Sequence, residues 1–245
     1  MEDYLIKTIR KGSSDKQMIC FPYVGACWFA FRDFVQAIEM DMEIIGINPP
    51  GHGPNQNTLL TNINEMADLY FTRLLPHFKS KVIFFGYSMG ALIVYQILDK
   101  IREAQGSLKD FLFIIAASNP PHITNIGEKK SRLSDEDFFT FIKSLGGITK
   151  ELEREKELIQ FFLPILRADY KAVENFSITT ASLENPVYVL YGKEDHFATN
   201  KNSLEWQRYF KNKITMVSVT GGHLFIKDYY QESAQIIEKI IHESF

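Results

Sequence analysis

Six short stretches of this 245-residue chain are apolar at nearly every position: residues 18–21, 43–47, 82–85, 111–117, 187–191 and 214–219. A strand with one wet face alternates apolar and polar side chains. A run without alternation must be covered on both faces, which is the situation of a parallel sheet packed between two layers of helices. Helical spacings separate the runs. Ile63, Met66, Tyr70 and Leu74 recur at three and four residues and stop before Pro76, and Ile226, Tyr230, Ala234, Ile237 and Ile241 do the same near the C-terminus. The predicted order is β-α-β-α-β-α-β, a long strand-free stretch, then β-α-β-α, which specifies an α/β protein with a doubly wound, mostly parallel sheet. Residues 4–9 are expected as an extra antiparallel strand at one edge.

The strand-free stretch, residues 119–176, holds three helix-like pieces at 135–145, 150–162 and 167–176. Phe138, Phe139, Phe141, Phe161, Phe162, Leu163 and Leu166 give it more apolar surface than short helices need for docking on a sheet. It reads as an insertion that caps the sheet, with Phe138, Phe141, Phe161 and Leu166 turned towards it. Phe138, Phe139 and Phe141 could line an acyl pocket, and core packing alone would also explain them. Without an internal repeat or a Gly/Ser-rich or Pro-rich linker, residues 1–245 read as one domain carrying that lid.

Composition excludes several function classes. With 27 basic and 30 acidic residues, a net charge of −3 and no block of like charge, the chain lacks the electrostatic footprint of a nucleic-acid binder. No run approaches the roughly 20 apolar residues of a membrane span, and the first ten residues lack the apolar core of a secretion signal. The expectation is a cytoplasmic protein bound neither to membrane nor to nucleic acid. Two cysteines, Cys20 and Cys27, make neither a disulfide framework nor a zinc-type pair, so both should be reduced thiols. Phosphate-binding glycine loops, nucleotide fingerprints and metal-ligand spacings are missing, so neither a cofactor nor a metal is expected.

The chemistry is carried by Gly86-Tyr87-Ser88-Met89-Gly90, between an apolar run and a helical one. This is a nucleophile elbow in its required setting of strand, sharp turn and helix. The turn is so tight that side chains two residues before and after the serine would strike backbone. Ser88 Oγ then stands above the sheet at a helix N-terminus, which favours developing negative charge. A serine hydroxyl needs a base, and in this arrangement the base comes late in the chain, after an acid. His223 follows the last apolar run and Gly221-Gly222 and precedes the last helix, on a loop at the carboxyl end of a strand. Asp195, in Gly192-Lys193-Glu194-Asp195-His196, is the preferred acid because its short side chain suits a tight turn after a strand, with Glu194 as the alternative. His196 flanks the site, and His52, which precedes the serine, suits a pocket wall or turn.

A hole for the oxyanion needs two backbone amides, one from Met89 and one from the loop after the first apolar run, with Tyr23 preferred and Val24 next. Cys27 lies near that loop, but no histidine and acid remain to activate it, so packing is its expected role.

Taken together, Cys20-Phe21-Pro22-Tyr23-Val24-Gly25, Pro49-Pro50-Gly51-His52-Gly53, Gly86-Tyr87-Ser88-Met89-Gly90 and Gly221-Gly222-His223 resemble the type II (external) thioesterases that accompany nonribosomal peptide and polyketide synthetases. Leu145-Gly146-Gly147 and the stretch from Phe161 to Tyr170 resemble their lid region. Val24, Ala26 and Cys27 depart from the family's usual P-x-A-G-G-S, and Glu194 from its usual G-x-D-D, but an aspartate stays at the matching position. The resemblance implies an α/β-hydrolase fold and hydrolysis of acyl groups from the phosphopantetheine arm of a carrier protein, an arm that belongs to the partner. A general serine hydrolase acting on free esters or acyl-CoA is the alternative, and a non-catalytic receptor on the same fold is a more distant one. Lys129, Lys130 and Arg132 are expected docking points for an acidic carrier, against the plainer reading of a solvated loop. The enzyme is expected to be a monomer.

Overall fold

All six uniformly apolar runs are strands of one seven-stranded sheet in the computed structural model, which describes residues 4–105, 110–124, 129–147, 154–178 and 183–245. In chain order the elements are β1 (Ile6–Arg10), β2 (Lys16–Phe21), a 3-10 turn leading into α1 (Arg32–Ala37), β3 (Glu43–Ile47), α2 (Ile63–Leu74), β4 (Lys81–Tyr87), α3 (Met89–Gln105) and β5 (Phe111–Ala116). There follow α4 (Pro121–Thr124), α5 (Asp135–Ser144), α6 (Lys156–Asn175), β6 (Val187–Gly192), α7 (Asn200–Leu204), β7 (Thr215–Val219), α8 (Phe225–Asp228) and α9 (Tyr230–Ser244). The sheet order is β1-β3-β2-β4-β5-β6-β7, with β1 antiparallel on β3 and every other pair parallel. This is the α/β-hydrolase arrangement.

Successive residues of one strand enter opposite cores, which is why the runs do not alternate. In β2, Ile19 and Phe21 pack with Met66 and Tyr70 of α2 and Leu98 of α3, whereas Met18 and Cys20 pack with Phe34 of α1 and Ile237 of α9. Each such side chain contributes about 1.5–3 kcal/mol, so the two layers hold the sheet from both sides. From β2 the chain steps outward to β3, then crosses back to β4 and runs on to β7. The connections leaving β2 and β4 therefore part in opposite directions, and the crevice at their carboxyl ends is where such sheets bind ligands.

The insertion differs from its sequence reading in two respects. The pieces expected at 150–162 and 167–176 are one helix, α6, of 20 residues with Pro164 inside it; residues 150–153 lie outside the described residues. Proline removes one backbone hydrogen bond and usually breaks a helix. Here the apolar stripe Ile159, Leu163, Leu166, Tyr170 and Val173 continues in phase across it, and Pro164 and Gln160, whose carbonyl loses its partner, are both exposed. Burial of the stripe thus outweighs the local preference. Phe161, expected to face the sheet, is 63% exposed and lies off that stripe. Phe138, Ile142, Leu163 and Tyr170 form a small core of their own, which Val24, Phe141 and Leu166 join. Among the described residues no helix is long and apolar enough to cross a membrane.

Candidate active site

Ser88 leaves β4 with φ at +51°, a left-handed conformation that costs a residue with a side chain about 1–3 kcal/mol. Its N–H donates to the Ala116 carbonyl at 2.8 Å, and its own carbonyl accepts from Ala91 at 3.1 Å, so the elbow is held from β5 and from α3. A Cβ on Gly86 would lie 2.5 Å from Ala91 Cα, and one on Gly90 would lie 2.2 Å from the Phe21 carbonyl oxygen. The two glycines are steric requirements of the turn. Half-buried Ser88 sits beside the N-terminus of α3, where partial positive charge gathers.

The loops after β6 and β7 bring the other two groups to it. A Cβ on Gly192 would lie 2.5 Å from the Gly221 carbonyl oxygen, and Glu194 N–H donates to that same oxygen at 3.0 Å, so the loops touch backbone to backbone. His223 Nε2 lies 3.3 Å from Ser88 Oγ, and its Nδ1 lies 2.9 Å from Asp195 Oδ2. Asp195 Oδ1 accepts from the amides of Phe197 and Ala198 at 2.8 and 2.9 Å. Burial by itself would raise the Asp195 carboxyl, but the hydrogen bond and charge of His223, with the two amides, outweigh it and hold the carboxyl below its ordinary range. Glu194 and His196 are exposed and make no bond in this chain. Burial pushes the Cys27 thiol up, with only partial relief from the Phe29 amide, so it is a poor nucleophile.

Among the described residues no acceptor takes the backbone N–H of Tyr23, Val24 or Met89, leaving donors on both sides of the elbow. Tyr23 and Val24 belong to a turn closed by Ala26 N–H donating to the Tyr23 carbonyl at 3.0 Å, with Gly25 at φ +76°. Positive φ at the third position marks a type II turn and suits glycine.

Three further residues support the site: the roles of Tyr87 and Phe197 carry no signal in the sequence, and His52, expected at a pocket wall or turn, has a partner that the sequence does not name. The Tyr87 hydroxyl, buried behind the elbow, donates to the His223 carbonyl at 2.7 Å and accepts from Ile226 N–H at 3.3 Å, while its ring meets Tyr23 edge-on at 5.8 Å. Phe197 packs edge-on against the His223 ring at 5.3 Å and in turn touches Phe141 of α5. His52 is 2% exposed, with Nδ1 at 3.0 Å from the Pro50 carbonyl oxygen and Nε2 at 2.9 Å from Oδ2 of Asp169 in α6. Burial pulls His52 down, but the bond and charge of Asp169, with the Pro50 and Pro49 carbonyls, outweigh it and raise its pKa.

The arrangement can make a serine oxygen nucleophilic and receive an oxyanion beside it. Among the described residues no group of three or more His, Cys, Asp or Glu could hold a metal ion. The thioesterase domain family matches residues 16–243. The chain is 25% identical to Thioesterase PikA5 of Streptomyces venezuelae over 223 residues, 90% of this chain and 79% of that protein. It is also 25% identical to the gramicidin S biosynthesis protein GrsT of Aneurinibacillus migulanus, over 91% of this chain and 86% of that one. The type II thioesterase BorB from the borrelidin biosynthetic cluster has the same fold, with a TM-score of 0.85 at 24% identity over 98% of each chain.

Proposed function

The chain belongs to the thioesterase domain family, and from that premise we propose that it is a type II serine thioesterase, hydrolysing acyl groups from the phosphopantetheine arm of carrier proteins and so clearing misprimed or stalled units from a nonribosomal peptide or polyketide synthetase. The observation that carries this reading is the unbroken run of bonds from Ser88 Oγ through His223 to Asp195, beside amides on Met89, Tyr23 and Val24 that have no acceptor among the described residues. His223 Nε2 takes the hydroxyl proton as Ser88 Oγ adds to the thioester carbonyl. The oxyanion forms between the Met89 amide and that of Tyr23 or Val24, in a site where fixed donors need no reorganisation. Collapse breaks the C–S bond, and His223 returns the proton to the departing sulfur. Water then enters, gives a proton to His223 and its oxygen to the acyl carbon, and as the bond from that carbon to Ser88 Oγ breaks, His223 returns the proton to Oγ and the acid leaves. Asp195 stays ionised throughout, fixing the tautomer of His223 and stabilising its cationic form.

This chemistry requires no cofactor of the enzyme itself. The carrier as partner is supported by the biosynthesis proteins among its relatives and by a basic groove of about 520 Å³ on α6, lined by Lys129, Arg132, Arg167 and Lys171. The test compares turnover of one acyl group presented on a carrier protein, on coenzyme A and as a p-nitrophenyl ester. A kcat/KM at least tenfold higher for the carrier substrate is expected. Equal or higher values for the free substrates would make the protein a general serine hydrolase.

A further inference from the structure

Asp169 is fully buried in α6, and one of its oxygens, Oδ2, serves two other segments at once: it accepts Gly25 N–H at 2.7 Å and faces His52 Nε2 at 2.9 Å. Both nitrogens of His52 face oxygens, one a carbonyl and the other a carboxylate, so only the doubly protonated ring donates to both. Its raised pKa agrees with that geometry. Burying a carboxylate is expensive even when it is paired, and apolar replacements of buried ion pairs are often at least as stable. Moreover, Asp169 Oδ1 is buried and, among the described residues, has no partner. Packing alone therefore does not account for the carboxylate.

Its placement does. Leu166, one turn earlier on α6, covers Gly25 so closely that a Cβ there would lie 2.5 Å from Leu166 Cδ2. Two side chains of α6 thus grip one residue of the turn that presents the Tyr23 and Val24 amides. The Val24–Gly25 peptide shares Val24 with the donor amides, so the direction of the Gly25 N–H fixes the ψ of Val24 and with it the path of the turn that carries the Tyr23 and Val24 N–H groups. A buried carboxylate accepting that N–H at 2.7 Å therefore holds the turn in one conformation.

We infer that Asp169, with His52 as its counter-charge, is a positioning residue that locks the Tyr23–Ala26 turn in the form that presents the oxyanion donors, so that α6 is part of the scaffold of the active site as well as its cover. The inference rests on the serine thioesterase reading above. Its effect lies in the transition state, where the oxyanion exists, and not in substrate binding.

The test measures kcat and KM separately for Asp169→Ala and Asp169→Asn on an acyl-carrier substrate, with Ser88→Ala alongside. Asp169→Ala should lower kcat by about 10- to 100-fold, less than the roughly 10²- to 10³-fold cost of removing an oxyanion donor outright because the donors are displaced and not deleted, with KM changed less than about twofold. Asp169→Asn keeps an acceptor for Gly25 and should recover most of kcat. Unchanged kcat in the alanine variant, a loss confined to KM, or equal losses in both variants would overturn the inference. Should Asp169→Ala fail to fold, amide hydrogen exchange in the wild-type protein decides. Gly25 N–H is expected to be protected as well as Ala26 N–H, and an unprotected Gly25 beside a protected Ala26 would overturn the lock. Full activity in Ser88→Ala would instead remove the reading on which the inference rests.

Discussion

Ser88, His223 and Asp195 stand at the ends of three different strands, and the sequence locates all three because each follows an apolar run that can only be a strand. The elbow glycines add a steric rule, and the structure explains them by contacts of 2.2 and 2.5 Å that any Cβ would make. Asp195 and Glu194 are adjacent carboxylates after the same strand, and in the structure Asp195 is buried at 2.9 Å from the imidazole whereas Glu194 is exposed. Asp195→Asn should lower kcat by up to about 10⁴-fold by destabilising the required tautomer, whereas Glu194→Gln should leave it within twofold. The reverse pattern would exchange their roles. The Asp195 carboxyl is held below its ordinary value in the folded protein, so its contribution to stability is complete above about pH 4 and is lost as pH falls through the lowered value. Denaturant titrations of wild type and Asp195→Asn should accordingly converge in acid and differ at neutral pH. The His52–Asp169 pair was not legible at this scale: its members are 117 residues apart, and neither sits in a pattern that names the other.

Among the elements, sequence periodicity located the strands to within a residue or two and placed β1 at the antiparallel edge. The expected pieces at 150–162 and 167–176 leave out the residues around Pro164, where local propensity opposes a helix, and the long-range burial of Leu163, Tyr170 and Val173 explains why the helix continues. Phe161 differs from its expected placement because the continuous helix puts Ile159, Leu163 and Leu166 on the packed face and leaves Phe161 off it. Of the expected docking residues, Lys129 and Arg132 line the basic groove, and Lys130 lies over the Phe141 ring at 5.6 Å. Lys129 Nζ also donates to Asn175 Oδ1 at 2.6 Å, joining the segment before α5 to the end of α6. Replacing Lys129, Lys130 and Arg132 together with glutamate should raise KM for an acyl-carrier substrate about tenfold and leave hydrolysis of a free acyl-pantetheine unchanged, an effect that added salt should mimic in the wild-type protein. Equal effects on both substrates would assign these residues to the structure of the lid instead.

At the scale of the whole molecule, the order of the sheet explains why so much chemistry is concentrated at the carboxyl ends of its strands. The reversal between β3 and β4 opens the crevice that holds Ser88 and the Tyr23–Ala26 turn, and the loops after β6 and β7 complete it with Asp195 and His223. That arrangement follows from parallel strands and right-handed crossovers, so the general position of the site can be deduced from the sequence. The way the insertion closes over the crevice cannot, because contacts such as Asp169 to Gly25 and Phe141 to Phe197 depend on tertiary packing between distant segments. The central claim is that thioester hydrolysis proceeds through Ser88. It is tested most directly by the turnover of Ser88→Ala on an acyl-carrier substrate, with a fluorophosphonate used to label the wild-type protein. Loss of activity by about 10⁴-fold or more in a folded variant, with the wild-type label on Ser88, is the predicted result. Wild-type turnover by Ser88→Ala would contradict it.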